Sequence, residues 1–109
     1  MHSREYLVRY ILNKLNEVKS LFEYKNGAYG AENDVFWNFR QTALRKFGSA
    51  LPPAMFDVAY ILADKHWVAL GKGIDVAEAE ERLQDMIVYC LIMLAMLEEH
   101  RRIAEDENA

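Results

Sequence analysis

Cysteine and proline are scarce in this chain of 109 residues, which has one of the former and two of the latter. A lone cysteine excludes an intramolecular disulfide. Cys90 also stands inside an apolar run, so a reduced, buried thiol of the kind found in cytoplasmic proteins is expected. The two prolines are adjacent, Pro52-Pro53, and confine proline-driven breaks to one place. Basic charge is not in excess: 13 Lys and Arg stand against 17 Asp and Glu, for a net charge of -4. That balance argues against a protein that lives on the phosphate backbone of duplex nucleic acid, where clustered Lys and Arg drive binding. No apolar run approaches the ~20 residues needed to span a bilayer, the longest being Met86 to Leu97. The opening Met1-His2-Ser3-Arg4-Glu5 is polar and unlike a secretory signal. Strand-like alternation, internal repeats and low-complexity segments are also missing. So are a GxSxG elbow, a second cysteine for a zinc site, and the Gly-Lys-Ser/Thr ending that would turn Gly27-Ala28-Tyr29-Gly30 into a phosphate loop.

What is present is helical periodicity. With 52% hydrophobic residues the chain can build one core, and the expected fold is a single all-α domain over 1–109. Four helices form a compact domain that assembles into an oligomeric bundle, followed by a short flexible acidic tail from about 105. Leu7, Ile11, Leu15, Val18 and Phe22 mark the apolar stripe of a first helix from Ser3 to about Glu23. Lys25 to Asp34, with two glycines and two asparagines, reads as a loop. A second helix is expected from an Asn33 or Asp34 cap to Gly48, burying Phe36, Phe39, Ala43 and Phe47. The third runs from the prolines to about Leu70, where Gly71 and Gly73 end it. Asp75 with Glu78 has the form of a capping box that opens the fourth, reaching to about Glu105. The stretch from Met86 to Leu97 is apolar all round and should be enclosed by other helices.

Chemistry concentrates where the fourth helix enters that stretch. Glu81, Asp85 and Tyr89 recur four apart and share a stripe. If the third and fourth helices are antiparallel, Asp64 lies at the level of Glu81 and Asp85. Three carboxylates suit Mg²⁺ or Mn²⁺, with water and substrate phosphate completing an octahedron. The plainer reading of Glu78, Glu81 and Asp85 is a solvated helix face that complements the N-terminal dipole. Lys25, Arg40 and Lys65 could hold phosphate, or be ordinary surface cations. Tyr29, Trp37 and Tyr89 could stack on a base, or fill the core. Asn26 and Asn38 could bond a base, or cap a turn. His66 reads more readily as a capping or surface group than as a ligand.

In order, Lys25-Asn26-x-x-Tyr29-Gly30, Asn38-Phe39, Asp64-Lys65 and Glu81-x-x-x-Asp85-x-x-x-Tyr89 resemble small phage and prophage proteins related to the MazG-like all-α nucleoside triphosphate pyrophosphatases. The likeness spans about Lys25 to Glu99. It implies a Mg²⁺-dependent helical enzyme that converts a nucleoside triphosphate to the monophosphate and pyrophosphate, working as a dimer or tetramer. By the resemblance, Asp64, Glu81 and Asp85 would be catalytic metal ligands, Lys25 and Lys65 phosphate contacts, and Asn38 and Tyr89 nucleotide-pocket residues. Lys65 takes that role only from its place beside Asp64. The sequence departs from the better-known ExxE and ExxD pair, since Asp57 and Asp64 are seven apart and Arg82 stands three before Asp85. The expected partners are therefore a nucleotide and further copies of the chain, with no duplex nucleic acid and no membrane. Two other readings stand beside the enzyme: a helical protein-interaction module, and a regulator that binds nucleotide without turnover.

Overall fold

The computed structural model describes residues 3–29, 34–73 and 75–108, with the side chains of 25–29 falling outside that description. Among these residues there are four helices: α1 (Arg4–Tyr29), α2 (Trp37–Phe47), α3 (Pro52–Leu70) and α4 (Val76–Glu107). Among the described residues no strand forms, and no helix is long and apolar enough to cross a membrane. The fold is all-α.

Local chemistry sets the helix ends. Gly48 adopts φ 68°, which an L side chain resists, and its N–H donates to the Leu44 carbonyl at 3.0 Å. This closes α2 in the left-handed geometry that glycine tolerates without strain. Pro52 then occupies the first turn of α3, where its missing N–H costs nothing. Asp75 opens α4 by accepting a hydrogen bond from the Glu78 N–H at 3.1 Å.

A short link between α3 and α4 forces them into an antiparallel hairpin. Pro53 and Phe56 lie beside Leu97 and His100 at one end, and His66 lies beside Asp85 and Tyr89 at the other. α2 packs on α3, and α1 packs on α4. Val18, Phe36, Phe39, Ala43, Met55, Val58, Ala59, Val88, Ile92 and Met96 form the core. Full burial of a side chain of this size contributes about 1.5–3 kcal/mol, so this cluster holds the helices together.

Four expectations change. α1 continues to Tyr29, through the first half of the segment read as a loop. One glycine inside a helix costs only about 1 kcal/mol, and a long amphipathic lead carries the helix past it. α2 starts at Trp37, later than Asn33 or Asp34, because the Asp34 side chain caps the Phe36 N–H from outside the helix, at 3.0 Å. Phe47 is exposed, although Phe36, Phe39 and Ala43 are buried as expected. Finally, α4 is not enclosed: Ile87, Leu91, Leu94 and Leu97 face outward, and the Cys90 thiol is exposed. α3 covers one side of α4 and α1 packs on only part of another, so the outer stripe stays in solvent.

α1 shows the same shortfall. Val18 is 3% exposed and packs in the core, yet Leu7, Ile11 and Leu15 on the same stripe are 51–59% exposed. Among the described residues, the end of that apolar stripe packs in the core while its first half does not.

Candidate functional site

α3 carries Met55, Ala59, Ala63 and His66 at steps of four, four and three, and all four are buried. This stripe faces α4 and brings the imidazole of His66, 4% exposed, under the α3–α4 crossing. A recess of about 70 Å³ opens above it, lined by Phe39, Lys65, His66, Asp85, Val88, Tyr89 and Ile92. α2 supplies Phe39, α3 supplies the cation and the imidazole, and α4 supplies the carboxylate and the phenol.

The rings are interlocked. Phe39 meets Tyr89 edge to face, with centroids 6.3 Å apart and planes at 77°. His66 lies 5.6 Å from Tyr89 at 51°. Arg82, one turn before Asp85 on α4, brings Nη1 to 3.3 Å from His66 Nδ1. A guanidinium has no acceptor, so Arg82 donates, Nδ1 accepts, and the imidazole proton sits on Nε2. The other edge of Arg82 faces Glu78, with Nε 3.7 Å from Oε1.

A second groove, of about 220 Å³, lies beside the recess and is lined by Tyr60, Ala63, Asp64, Trp67, Met86, Tyr89, Cys90 and Met93. Tyr89 belongs to both and forms the partition. Asp64 and Lys65 are consecutive helical residues and diverge by about 100°. Lys65 therefore joins Asp85 in the recess, while Asp64 lines the outer groove.

Of the residues singled out from the sequence, Lys65, Asp85 and Tyr89 come together. Asp64 lies on the other side of Tyr89. Glu81 and Asn38 are exposed and line neither cavity. The side chains of Lys25, Asn26 and Tyr29 lie outside the described residues. Among the described residues, no group of three or more His, Cys, Asp or Glu side chains is close enough to hold a metal ion.

Arg40, a candidate phosphate contact, has a structural task. Its Nε donates to Asp34 Oδ2 at 2.7 Å and its Nη2 to Oδ1 at 3.3 Å, while Nη1 donates to the Ala50 carbonyl at 3.2 Å. One guanidinium thereby ties the entry of α2 to the link that follows it. The Arg40 hydrogen bonds hold the Asp34 carboxyl below its usual range, with the Phe36 N–H and the Arg40 charge adding to them against the effect of burial. Reciprocally, Asp34 raises Arg40.

His66, expected as a capping or surface group, is instead buried and bonded to Arg82. The signal was there in the stripe it shares with Met55, Ala59 and Ala63. Comparison with known proteins finds no family model, no curated protein and no solved structure that matches this chain.

Proposed function

We propose that the chain binds a nucleoside triphosphate, ribo or deoxyribo, together with Mg²⁺ or Mn²⁺, and hydrolyses the α–β phosphoanhydride to give the monophosphate and pyrophosphate. The observation that carries this reading is the recess where Asp85 and Lys65 meet between the aromatic rings of Phe39 and Tyr89. It combines groups for metal, phosphate and base in one place. A volume of about 70 Å³ is below the roughly 300–1,000 Å³ of whole-ligand sites. A triphosphate would therefore lie across the mouth, with one end inserted.

Mg²⁺ is commonly held by one or two carboxylates, with substrate phosphates and waters filling its other positions. Asp85 in the recess, with Asp64 across Tyr89 and Glu81 toward the exposed start of α4, suits that mode better than a cage built by protein alone. When bound, the ion supplies charge neutralisation at the phosphoryl oxygens and acidifies water. Lys65 contributes positive charge toward the departing pyrophosphate. Tyr89 and Phe39 exclude water from the inner wall, and Tyr89 offers its ring edge to a base. Lys25, Asn26, Tyr29 and Asn38 complete the nucleotide contacts in this reading. The lone cysteine suits the cytoplasm, and the resemblance to that family implies a homo-oligomer of two or four chains and a phage or prophage origin.

A second reading has an observation of its own. Arg82 stands where the better-known pattern has an acid, and it bonds His66. That arrangement favours a regulator that binds nucleotide without turnover. Purified protein incubated with ribo- and deoxyribonucleoside triphosphates, with and without Mg²⁺ or Mn²⁺, separates the two. Metal-dependent monophosphate and pyrophosphate, lost in Asp85→Asn, supports the enzyme. Nucleotide-dependent stabilisation without product supports the regulator, and neither effect sinks both.

A further inference from the structure

The outer groove beside the recess is walled by aromatic rings and sulfur, carries one carboxylate, and has no cation in its lining. α3 lines it with Tyr60, Ala63, Asp64 and Trp67, and α4 answers with the same spacing from Met86 to Met93. That spacing puts each set of four side chains on one face of its helix. Ala63 is buried and too short to fill the space between Tyr60 and Trp67, which are 65% and 58% exposed. The two rings therefore stand as walls over a small residue. Tyr89 forms the wall opposite, and its ring is already held against Phe39 and His66. Asp64 is exposed at the rim and, among the described residues, joins no ion pair. No cation stands three or four residues from it on α3, and Lys65 turns into the recess.

We propose that this groove binds a small organic cation with a methylated nitrogen, of the quaternary ammonium class. An aromatic face attracts such a cation electrostatically when it lies within about 6 Å of the ring centre. Tyr60 and Trp67 are seven residues apart, about 10 Å along the helix, so a group seated over Ala63 comes within about 5 Å of each. Charge and hydration choose the occupant. A neutral apolar ligand gains nothing from Asp64. Mg²⁺ or a primary ammonium would shed strongly held water in exchange for a single carboxylate. A methylated ammonium spreads its charge over weakly hydrated methyl groups, which the rings can cover. A ligand with a carboxylate of its own would set like charges face to face at Asp64, so a plain cation is favoured over a zwitterion.

The occupant is a free small molecule and not a methylated side chain of another protein. A volume of about 220 Å³ is below the roughly 300–1,000 Å³ of drug-sized sites and suits a compact cation. A peptide carrying the same group would need polar partners for its backbone beside the groove. The flanking residues Ile61, Val68 and Leu94 are apolar and 57–60% exposed, and offer none. The site goes beyond triphosphate hydrolysis and does not rest on it: in that reaction Asp64 acts from across Tyr89, whereas here it is the anchor.

Cys90 reports occupancy, because its thiol is exposed and lines the groove. The rate of its alkylation by iodoacetamide is measured on the full chain, without nucleotide or divalent metal and at constant ionic strength. Choline is compared with its neutral tert-butyl isostere, in which carbon replaces nitrogen, and with a trimethyllysine peptide. The expected result is saturable protection by choline, about tenfold tighter than by the isostere and no weaker than by the peptide. Trp67→Leu and Asp64→Asn should each weaken that protection about threefold or more. Asp106→Asn, which removes the same charge near the far end of α4, should leave it unchanged. Where a variant unfolds, the comparison of choline with its isostere on the wild type still decides. Absence of protection by choline overturns the proposal, as does equal protection by the isostere or tighter binding of the peptide. So does undiminished protection in an Asp64→Asn protein that keeps its helical circular dichroism. Triphosphate turnover, assayed separately on the same protein, can fail while protection stands, and the reverse, so the two readings fall separately.

Discussion

Removing the Asp34 carboxylate should loosen α2 by an amount that depends on pH. Asp34 accepts three hydrogen bonds, from the Phe36 N–H and from two nitrogens of Arg40. The two side chains are 23% and 33% exposed, so the pair sits between an open surface bridge, worth about 0.2–1 kcal/mol, and a protected charged hydrogen bond, worth about 1.5–3 kcal/mol. For Asp34→Ala we expect a loss of about 1–2 kcal/mol at pH 7, or a melting point lower by roughly 4–8 °C. Arg40→Ala should cost at least as much, because it also releases the Ala50 carbonyl. A double-mutant cycle in urea, at fixed protein concentration, should give a coupling near 1 kcal/mol. The sign with pH follows from the lowered carboxyl of Asp34. Its contribution is fully present above the unfolded carboxylate value, near 4, and is lost as pH falls through the lower folded value. The gap between wild type and Asp34→Ala should therefore narrow below about pH 4. A coupling indistinguishable from zero, or a penalty as large at pH 2 as at pH 7, would refute the clamp.

Two further stability outcomes follow from the fold. Met55 has no exposed surface, so Met55→Ala should cost about 2–5 kcal/mol in urea unfolding, with the exact value showing how far the core collapses around the hole. Gly48→Ala meets nothing within 4 Å of the added carbon; its cost should come from the left-handed backbone alone, about 1–2 kcal/mol, and appear as a lower midpoint without change in denaturant slope.

The punctuation of the fold was legible in the sequence. Gly48, Pro52, Gly71 and Asp75 bound helices where their chemistry says they should, because capping is local. The segment from Lys25 to Tyr29 was misread because its glycine and asparagine signals are weak against the helix that runs into them. The stripe of Leu7, Ile11 and Leu15 was visible, but a periodicity says that a face wants cover and not which surface provides it. Cys90 was misjudged for the same reason. In the site, the four-residue spacing of Glu81, Asp85 and Tyr89 was real, but each such step turns about 40° past a full circle. Over two steps the stripe rotates, so Asp85 and Tyr89 line the recess while Glu81 remains in solvent. Pairing His66 with Arg82 required knowing which two helices cross, which no single stretch of sequence records.

Ala43 on α2 and Ala59 on α3 are each wholly buried, with no exposed surface at all. Side chains this short, Ala59 on the stripe of α3 that faces α4 and Ala43 on the core side of α2, let the helix axes approach toward the 8 Å end of the usual range. The width of the cleft between Phe39, Lys65 and Tyr89 is thus governed by residues that do not border it. A valine at either alanine would act as a spacer, prying the helices apart and enlarging the cleft from behind. The shape of the cleft can accordingly be changed, by evolution or by engineering, without touching any residue that lines it.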